Sequence, residues 1–228
     1  TWKVTDEIST YVSYVESVSP PGIGVEPERG EQYEIGVKYA PRAVPALVSA
    51  SVFDLTKNNV TIAVVQPDGS ILRQLIGESR VRGFELEGKA EITENVSLFG
   101  GYTFLDSEVV KGVVRGVDVS GKELASTPNH MATLWGSYVV PGEGARGDLT
   151  FGLGARYMGA YYFNAANDNG RSDDAVLFDA SIGYQLTETA ELQVNVTNLT
   201  DEQHVVGRGT ADYYTPGRTV MAKLRYVW

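Results

Sequence analysis

Four charged residues, Glu85, Glu87, Lys89 and Glu91, occupy every second position of one segment, and two of those carboxylates would be the natural acid–base pair of a hydrolase. The spacing argues against that use. Residues i and i+2 of an extended chain sit roughly 7 Å apart on one face, and nothing beside them supplies a nucleophile. Lys223 and Arg225 repeat the same spacing near the carboxyl end. Both sets read as polar lining, expected to be matched by opposite charge because isolated charges in a desolvated wall are costly. His130 and His204 are the only histidines and there is no cysteine, so the ligand count for a zinc or iron site is missing and no metal is expected. The stretch Asn164–Asp173 lacks the alternation of a calcium loop. The glycines of GLGARYMG are spaced wrongly for a phosphate loop. The N-x-[ST] strings at Asn59, Asn95, Asn195 and Asn198 read as chance sequons. No catalytic residue is assigned.

The 228 residues carry 19 Lys+Arg against 29 Asp+Glu, a formal charge of −10, which excludes a nucleic-acid binder that needs clustered cations. No apolar run approaches the ~18–20 residues of a spanning helix, and TWKVTDE lacks the architecture of a signal peptide. The chain instead alternates with period two. Val220, Ala222, Leu224, Tyr226 and Trp228 oppose Met221, Lys223, Arg225 and Val227; Phe178, Ala180, Ile182 and Tyr184 oppose Asp179, Ser181, Gly183 and Gln185. The pattern predicts about ten strands, near 8–18, 32–40, 46–58, 71–93, 96–110, 130–140, 149–163, 176–187, 190–199 and 218–228. Short breaks (6–7, 41–45, 94–95, 141–148, 187–189) alternate with long polar ones (19–31, 58–70, 111–129, 164–175, 200–217). That puts every short turn at one end of an antiparallel up-and-down meander, the layout of a transmembrane β-barrel.

Alternation alone does not say which face is wet, and a soluble sandwich or lipocalin-like barrel alternates too. Two features favour the inverted arrangement. The polar face mixes Gly36, Gly152, Gly154 and Gly183 with charges, which suits a wet or plugged lumen. Aromatics on the apolar face (Tyr33, Tyr39, Tyr102, Phe104, Tyr138, Tyr157, Tyr226, Trp228) gather near strand ends, as interfacial girdles do.

Strings along nearly the whole chain bear on this choice. EPERGEQYEIGVKY from Glu26 and SVFDLTKNNV from Ser51 come first, then RVRGFELEGKAEITENVSLFGGYTFLDSEV from Arg80 and STPNHMATLWGSY from Ser126. GLGARYMGAYY from Gly152, LFDASIGYQL, LQVNVTNLTDEQHVV from Leu192 and PGRTVMAKLRYVW follow. In this order they resemble the C-terminal part of TonB-dependent outer-membrane receptors, in particular the ferric-siderophore (ferrichrome-like) group, and the resemblance sets the soluble reading aside.

The resemblance implies an all-β fold: about ten C-terminal strands of a 22-stranded barrel in the outer membrane of a Gram-negative bacterium. It implies that residues 1–228 are barrel only, with the plug domain, the TonB-contacting segment and the first strands outside this sequence. The implied partners are a ferric siderophore, the plug, TonB, and the outer-membrane lipid and assembly machinery. Iron would arrive only inside the chelate, so no resident cofactor is expected, and the protein is not expected to be an enzyme. Leu224, Tyr226 and Trp228 look like the terminal signal read by the assembly machinery. Ligand contacts are expected from Tyr161, Tyr162, Phe163, Tyr213 and Tyr214, whose faces suit a bulky semi-apolar chelate, and from Arg208 for an anionic one. Other readings stay open: haem, cobalamin or a glycan as cargo, or a free-standing ten-stranded outer-membrane protease using His130 or His204 with Asp173, Asp174, Asp201 or Asp212.

Overall fold

The structure, a computed structural model, describes residues 1–19, 26–65, 71–144 and 146–227. Fifteen strands are β1 (Trp2–Lys3), β2 (Ile8–Ser19), β3 (Glu28–Tyr39), β4 (Ala46–Val65), β5 (Ile71–Thr93), β6 (Val96–Lys111), β7 (Val113–Val114), β8 (Val117–Asp118), β9 (His130–Val140), β10 (Leu149–Met158), β11 (Ala175–Thr187), β12 (Ala190–Thr197), β13 (Val205–Arg208), β14 (Asp212–Tyr214) and β15 (Thr219–Tyr226). Eleven of them form one antiparallel sheet in chain order, skipping only the small hairpins β7–β8 and β13–β14. Ten are the expected long strands, and the stub β1 pairs through Trp2 with Thr10 of β2.

Cross-strand partners share a face, so the register sorts side chains into rows. One row reads Val12, Ile35, Val52, Phe84, Phe104. A second on the same face reads Leu98, Gly136, Leu153, Ala180, Val196, Val220. The opposite face carries Tyr11, Gly36, Ser51, Glu85, Thr103 and Ser97, Ser137, Gly152, Ser181, Asn195. Exposure runs against polarity. Tyr33 is 59% exposed and Ile35 55%, while Glu34 between them is half-buried and Gly36 beside Ile35 is buried. Leu153 is 60% exposed between buried Gly152 and Gly154. A protein in water would invert this, because each exposed large apolar side chain forgoes about 1.5–3 kcal/mol of burial. Only a surrounding of acyl chains makes the arrangement favourable.

Among the described residues the buried hydrophobic side chains are Val109, Val119, Tyr161 and Ala175, none of them in the middle of the sheet. The membrane-spanning part therefore has no core of its own, and its backbone is satisfied strand to strand, as lipid requires. Aromatics mark two levels on the apolar face, with Tyr39, Tyr138 and Tyr226 towards the short turns and Tyr33, Tyr102, Phe104 and Tyr157 towards the long loops. Just beyond the second level the face turns ionic: Arg80 Nε donates to Asp54 (2.8 Å) and Arg82 approaches Asp106 (3.9 Å).

Several boundaries differ from those read in the sequence. β3 starts at Glu28, inside the expected 19–31 break. β4 continues to Val65, where 58–70 was expected to be loop. Asn59 takes a left-handed conformation (φ 59°), the register slips there, and the β-branched run from Val60 resumes the ladder. At roughly 3.3 Å per residue the 20- and 23-residue β4 and β5 reach far beyond any bilayer. β10 stops at Met158 rather than 163, and Tyr161 turns inward instead.

Candidate functional site

The charged residues singled out from the sequence fall together on the sheared polar wall. Glu85 pairs across with Ser51 and Thr103, Glu87 with Ser49 and Gly101, Lys89 with Leu47 and Phe99, Glu91 with Ser97. Glu191 faces Arg225 and Gln193 faces Lys223 on the last two strands of the sheet. Glu34 joins the acidic patch: the Tyr11 hydroxyl donates to one of its oxygens and Gln32 Nε2 to the other at 3.0 Å. Lys38 stands over the Tyr11 ring at 5.4 Å. Sequence reasoning missed Tyr11 and Glu34, although both lie on polar-face positions of their strands.

Trp135 organises the wall further along. A Cβ on Gly154 would lie 2.3 Å from its ring, and one on Gly152 2.4 Å, so the indole lies flat only because both positions are glycine. Beside it Arg156 makes two hydrogen bonds to Asp179, from Nε (2.6 Å) and Nη2 (3.0 Å).

At the long-loop end three loops are bound into one block. Val109 and Val119 are fully buried and pack with Val114, Leu124 and Ala166, which docks the 112–129 loop on the 159–174 loop. Asn167, left-handed at φ 56°, accepts from Glu123 N (2.9 Å) and donates Nδ2 to Glu123 O (3.0 Å). Ser126 N donates to Tyr162 O at 2.9 Å. Tyr161 carries the next joint, with its hydroxyl donating to Val206 O at 2.8 Å and its amide to Ser172 Oγ at 3.0 Å. Burial pushes its phenol up from the ordinary value, so it stays a donor throughout neutral pH.

The expected ligand residues therefore divide. Tyr161 is buried (7% exposed) and serves as a clamp between loops. Phe163 packs edge-on to it (6.1 Å) and lies under Arg208 (5.2 Å), whose Nε donates to Asp212 at 2.7 Å. Tyr162 is covered by Arg171 at 4.7 Å. Tyr213 and Tyr214 alone offer open faces, 60% and 58% exposed on β14. Replacing Tyr161 by Phe should leave the Val206 carbonyl without its donor and loosen the joint by about 1 kcal/mol, seen as faster amide exchange over 205–208.

The protease arrangement is not assembled. His130 Nδ1 meets the Tyr102 hydroxyl at 2.8 Å, and buried His204 has an Nδ1 without a partner. Asp174 accepts from Ala160 N (2.7 Å) and Tyr157, Asp201 from Arg218 N (2.6 Å), and Asp212 from Arg208. Among the described residues no group of three His, Cys, Asp or Glu side chains could hold a metal. Leu224 (65% exposed) and Tyr226 (60%) lie on the apolar face of β15, and Trp228 lies outside the described residues.

Residues 1–199 match the family described as TonB dependent receptor-like, beta-barrel. The chain is 35% identical over 208 residues to the ferrichrome outer membrane transporter/phage receptor of Escherichia coli, covering 87% of this chain and 27% of that protein. It is 30% identical to the probable TonB-dependent siderophore receptor PiuA of Acinetobacter baumannii, over 99% of this chain and 33% of the relative. The crystal structure of that PiuA superposes with a TM-score of 0.78 over 99% of this chain and 34% of its own. The ferripyoverdine-bound receptor of Pseudomonas aeruginosa gives 0.77 at 25% identity, over 99% and 32%. The chain spans about a third of the length of these relatives. With its apolar face turned to lipid and its fold superposing on theirs, this chain belongs to the TonB-dependent receptor β-barrel family of the Gram-negative outer membrane.

Proposed function

We propose that the chain forms the C-terminal part of the barrel wall of a receptor that takes a ferric siderophore at its outer mouth and admits it in a TonB-dependent step. The observation that carries the reading is the reversed burial of the sheet, apolar residues bare and polar residues sheltered, which makes the Glu85 side the lining of a lumen. That lining supports a plug as partner. Among the described residues no ion pair engages Glu34, Glu85 or Glu87, and acids held in a confined wall call for cations from the group that fills it. Iron is cargo, carried with its own ligands. The occupied carboxylates at the mouth support a receptor rather than an enzyme.

The test is binding of ferric chelates to the full-length receptor. Changing Tyr213 and Tyr214 together to Ala should weaken binding about tenfold, about 1.4 kcal/mol, with outer-membrane abundance unchanged. Unchanged affinity would remove both from the site, and loss of abundance would show that they serve assembly instead.

A further inference from the structure

We infer that the short-turn end of the lumen carries an apolar socket, between Leu47, Phe99 and Trp135, that grips one large aliphatic or aromatic side chain of the plug. This rests on the receptor reading above and adds where the plug is held and by what chemistry. The register sets Leu47, Lys89, Phe99 and Trp135 side by side on β4, β5, β6 and β9, all on the face of Glu85. Four strands about 4.8 Å apart make this row roughly 14 Å wide. It lies close to the short turns, since Leu47 is the second residue of β4 and Phe99 the fourth of β6.

The row is apolar on the side where the sheet is otherwise sheltered or polar. Phe99 is 56% exposed and Leu47 38%, with Trp135 half-buried. Nearer the long loops the same face covers its large apolar side chains: Phe53 lies over Gly83, where a Cβ would come within 2.4 Å of its ring, and Leu55 and Leu105 are half-buried. Val15 on β2 and Met221 on β15 are bare as well, but they stand at the two margins of the sheet. Phe99 and Leu47 have strands on both sides and still lack cover. Beside Phe99 the wall sinks into a hollow of about 330 Å3, lined in part by Leu47, Ser49, Glu87, Lys89 and Gly101. Gly101 keeps it open, because a Cβ there would meet only ordinary contacts, 3.5 Å from Leu86 O and 3.7 Å from Glu87 Cγ. Trp135, laid flat on Gly152 and Gly154, gives the row a fixed end.

Lipid and neighbouring receptors meet the other face, and cargo arrives at the opposite end of the lumen. The chain is about a third of the length of its relatives, so a receptor of their size has ample chain outside this wall to fill the lumen. Apolar surface turned to a wet interior forgoes its burial, which makes the covering side chain apolar. Glu87 and Glu91 flank Lys89 around the hollow, and among the described residues none of the three has an ion pair. Two carboxylates against one ammonium favour a cation next to the inserted side chain. The plug is thus held by two chemistries. Pairing with Glu34 and Glu85 weakens as salt rises, and the socket does not.

The test places the photoreactive analogue benzoylphenylalanine at position 99 of the full-length receptor in outer-membrane preparations. Irradiation should join it to a plug peptide with an apolar residue next to Lys or Arg. Crosslinks to lipid would overturn the socket and the lumen assignment together; crosslinks to neither plug nor lipid would overturn the socket and leave the receptor reading intact. Gly101→Leu fills the hollow from the wall, and Phe99→Ser removes one side of it. Each should lower the urea concentration at which the plug lets go, seen as the onset of ion conductance in planar bilayers, by about 1 M. The shift should be equal at low and high salt, with heat-modifiable migration retained. No shift in either variant, or a shift at low salt only, overturns the socket. If a variant fails to assemble, the crosslink at position 99 decides, since it keeps a large aromatic side chain there.

Discussion

Leu153→Arg in the full-length receptor is expected to cost about 2–4 kcal/mol, the penalty for a cation near the midplane on the lipid face of a barrel, and to remove most of the protein from the outer membrane. Leu153 lies halfway along β10, 60% exposed, in the row from Leu98 to Val220. Thr103→Arg is the matched control. It adds the same guanidinium to the other face, in register with Glu85, where a cation gains a partner. The expected result is normal abundance and heat-modifiable migration for Thr103→Arg and loss of both for Leu153→Arg. The reverse outcome would mean that the apolar side is the inside, and the assignment of lumen, girdles and mouth would go with it.

That orientation was half legible in the sequence. Period-two alternation gave the strands and the sharing of faces, because a pleated strand leaves no other option. Which face meets lipid came from weaker signs, glycine on one side and terminal aromatics on the other, and the structure supplies their reason at Trp135, whose ring needs Gly152 and Gly154 beneath it. Boundaries failed where a residue type has two uses. Asn58-Asn59 reads as a turn, yet Asn59 forms a bulge within a continuing ladder. Tyr161, Tyr162 and Phe163 have strong β propensity and read as the end of a strand, yet the chain leaves the sheet after Met158 because Tyr161 finds a buried partner at Val206, 45 residues away. Local pattern carries no information about such a contact. For the same reason six ligand candidates could be chosen by chemistry, Tyr213 and Tyr214 foremost, while the inward turn of Tyr161 could not be read. Asn167 and Asn198, which fix the loops, were visible only as polar loop residues or chance sequons.

Asn198→Ala is expected to be the most damaging change outside the membrane. Asn198 is 3% exposed and left-handed at φ 54°, at the point where β12 gives way to the last long loop. Its Nδ2 donates to Glu202 O (2.7 Å) and Pro216 O (3.1 Å), its Oδ1 accepts from Glu202 N (2.9 Å), and its own amide donates to Asp179 Oδ1 (2.9 Å). One side chain thus closes both ends of the loop that carries Tyr213 and Tyr214, and the link to Asp179 ties that closure to Arg156 on the wall. Alanine removes the donor to Pro216 O, leaves Glu202 O with only Thr215 Oγ1 (3.4 Å) and Glu202 N without its acceptor, at about 1 kcal/mol each, and adds roughly 1 kcal/mol for a left-handed non-glycine residue. The loop should become protease-sensitive in the assembled receptor, and chelate binding should fall with it. Asn198→Gly restores the backbone but not the hydrogen bonds, so it should recover only a small part of the loss. Asn198→Asp keeps the acceptor and turns a carboxylate oxygen towards two carbonyls, so it should be nearly as harmful as Ala despite its identical shape. If Asp were tolerated, the closure would be the work of the backbone conformation alone, and the loop would owe its position to Tyr161 and the block beside it.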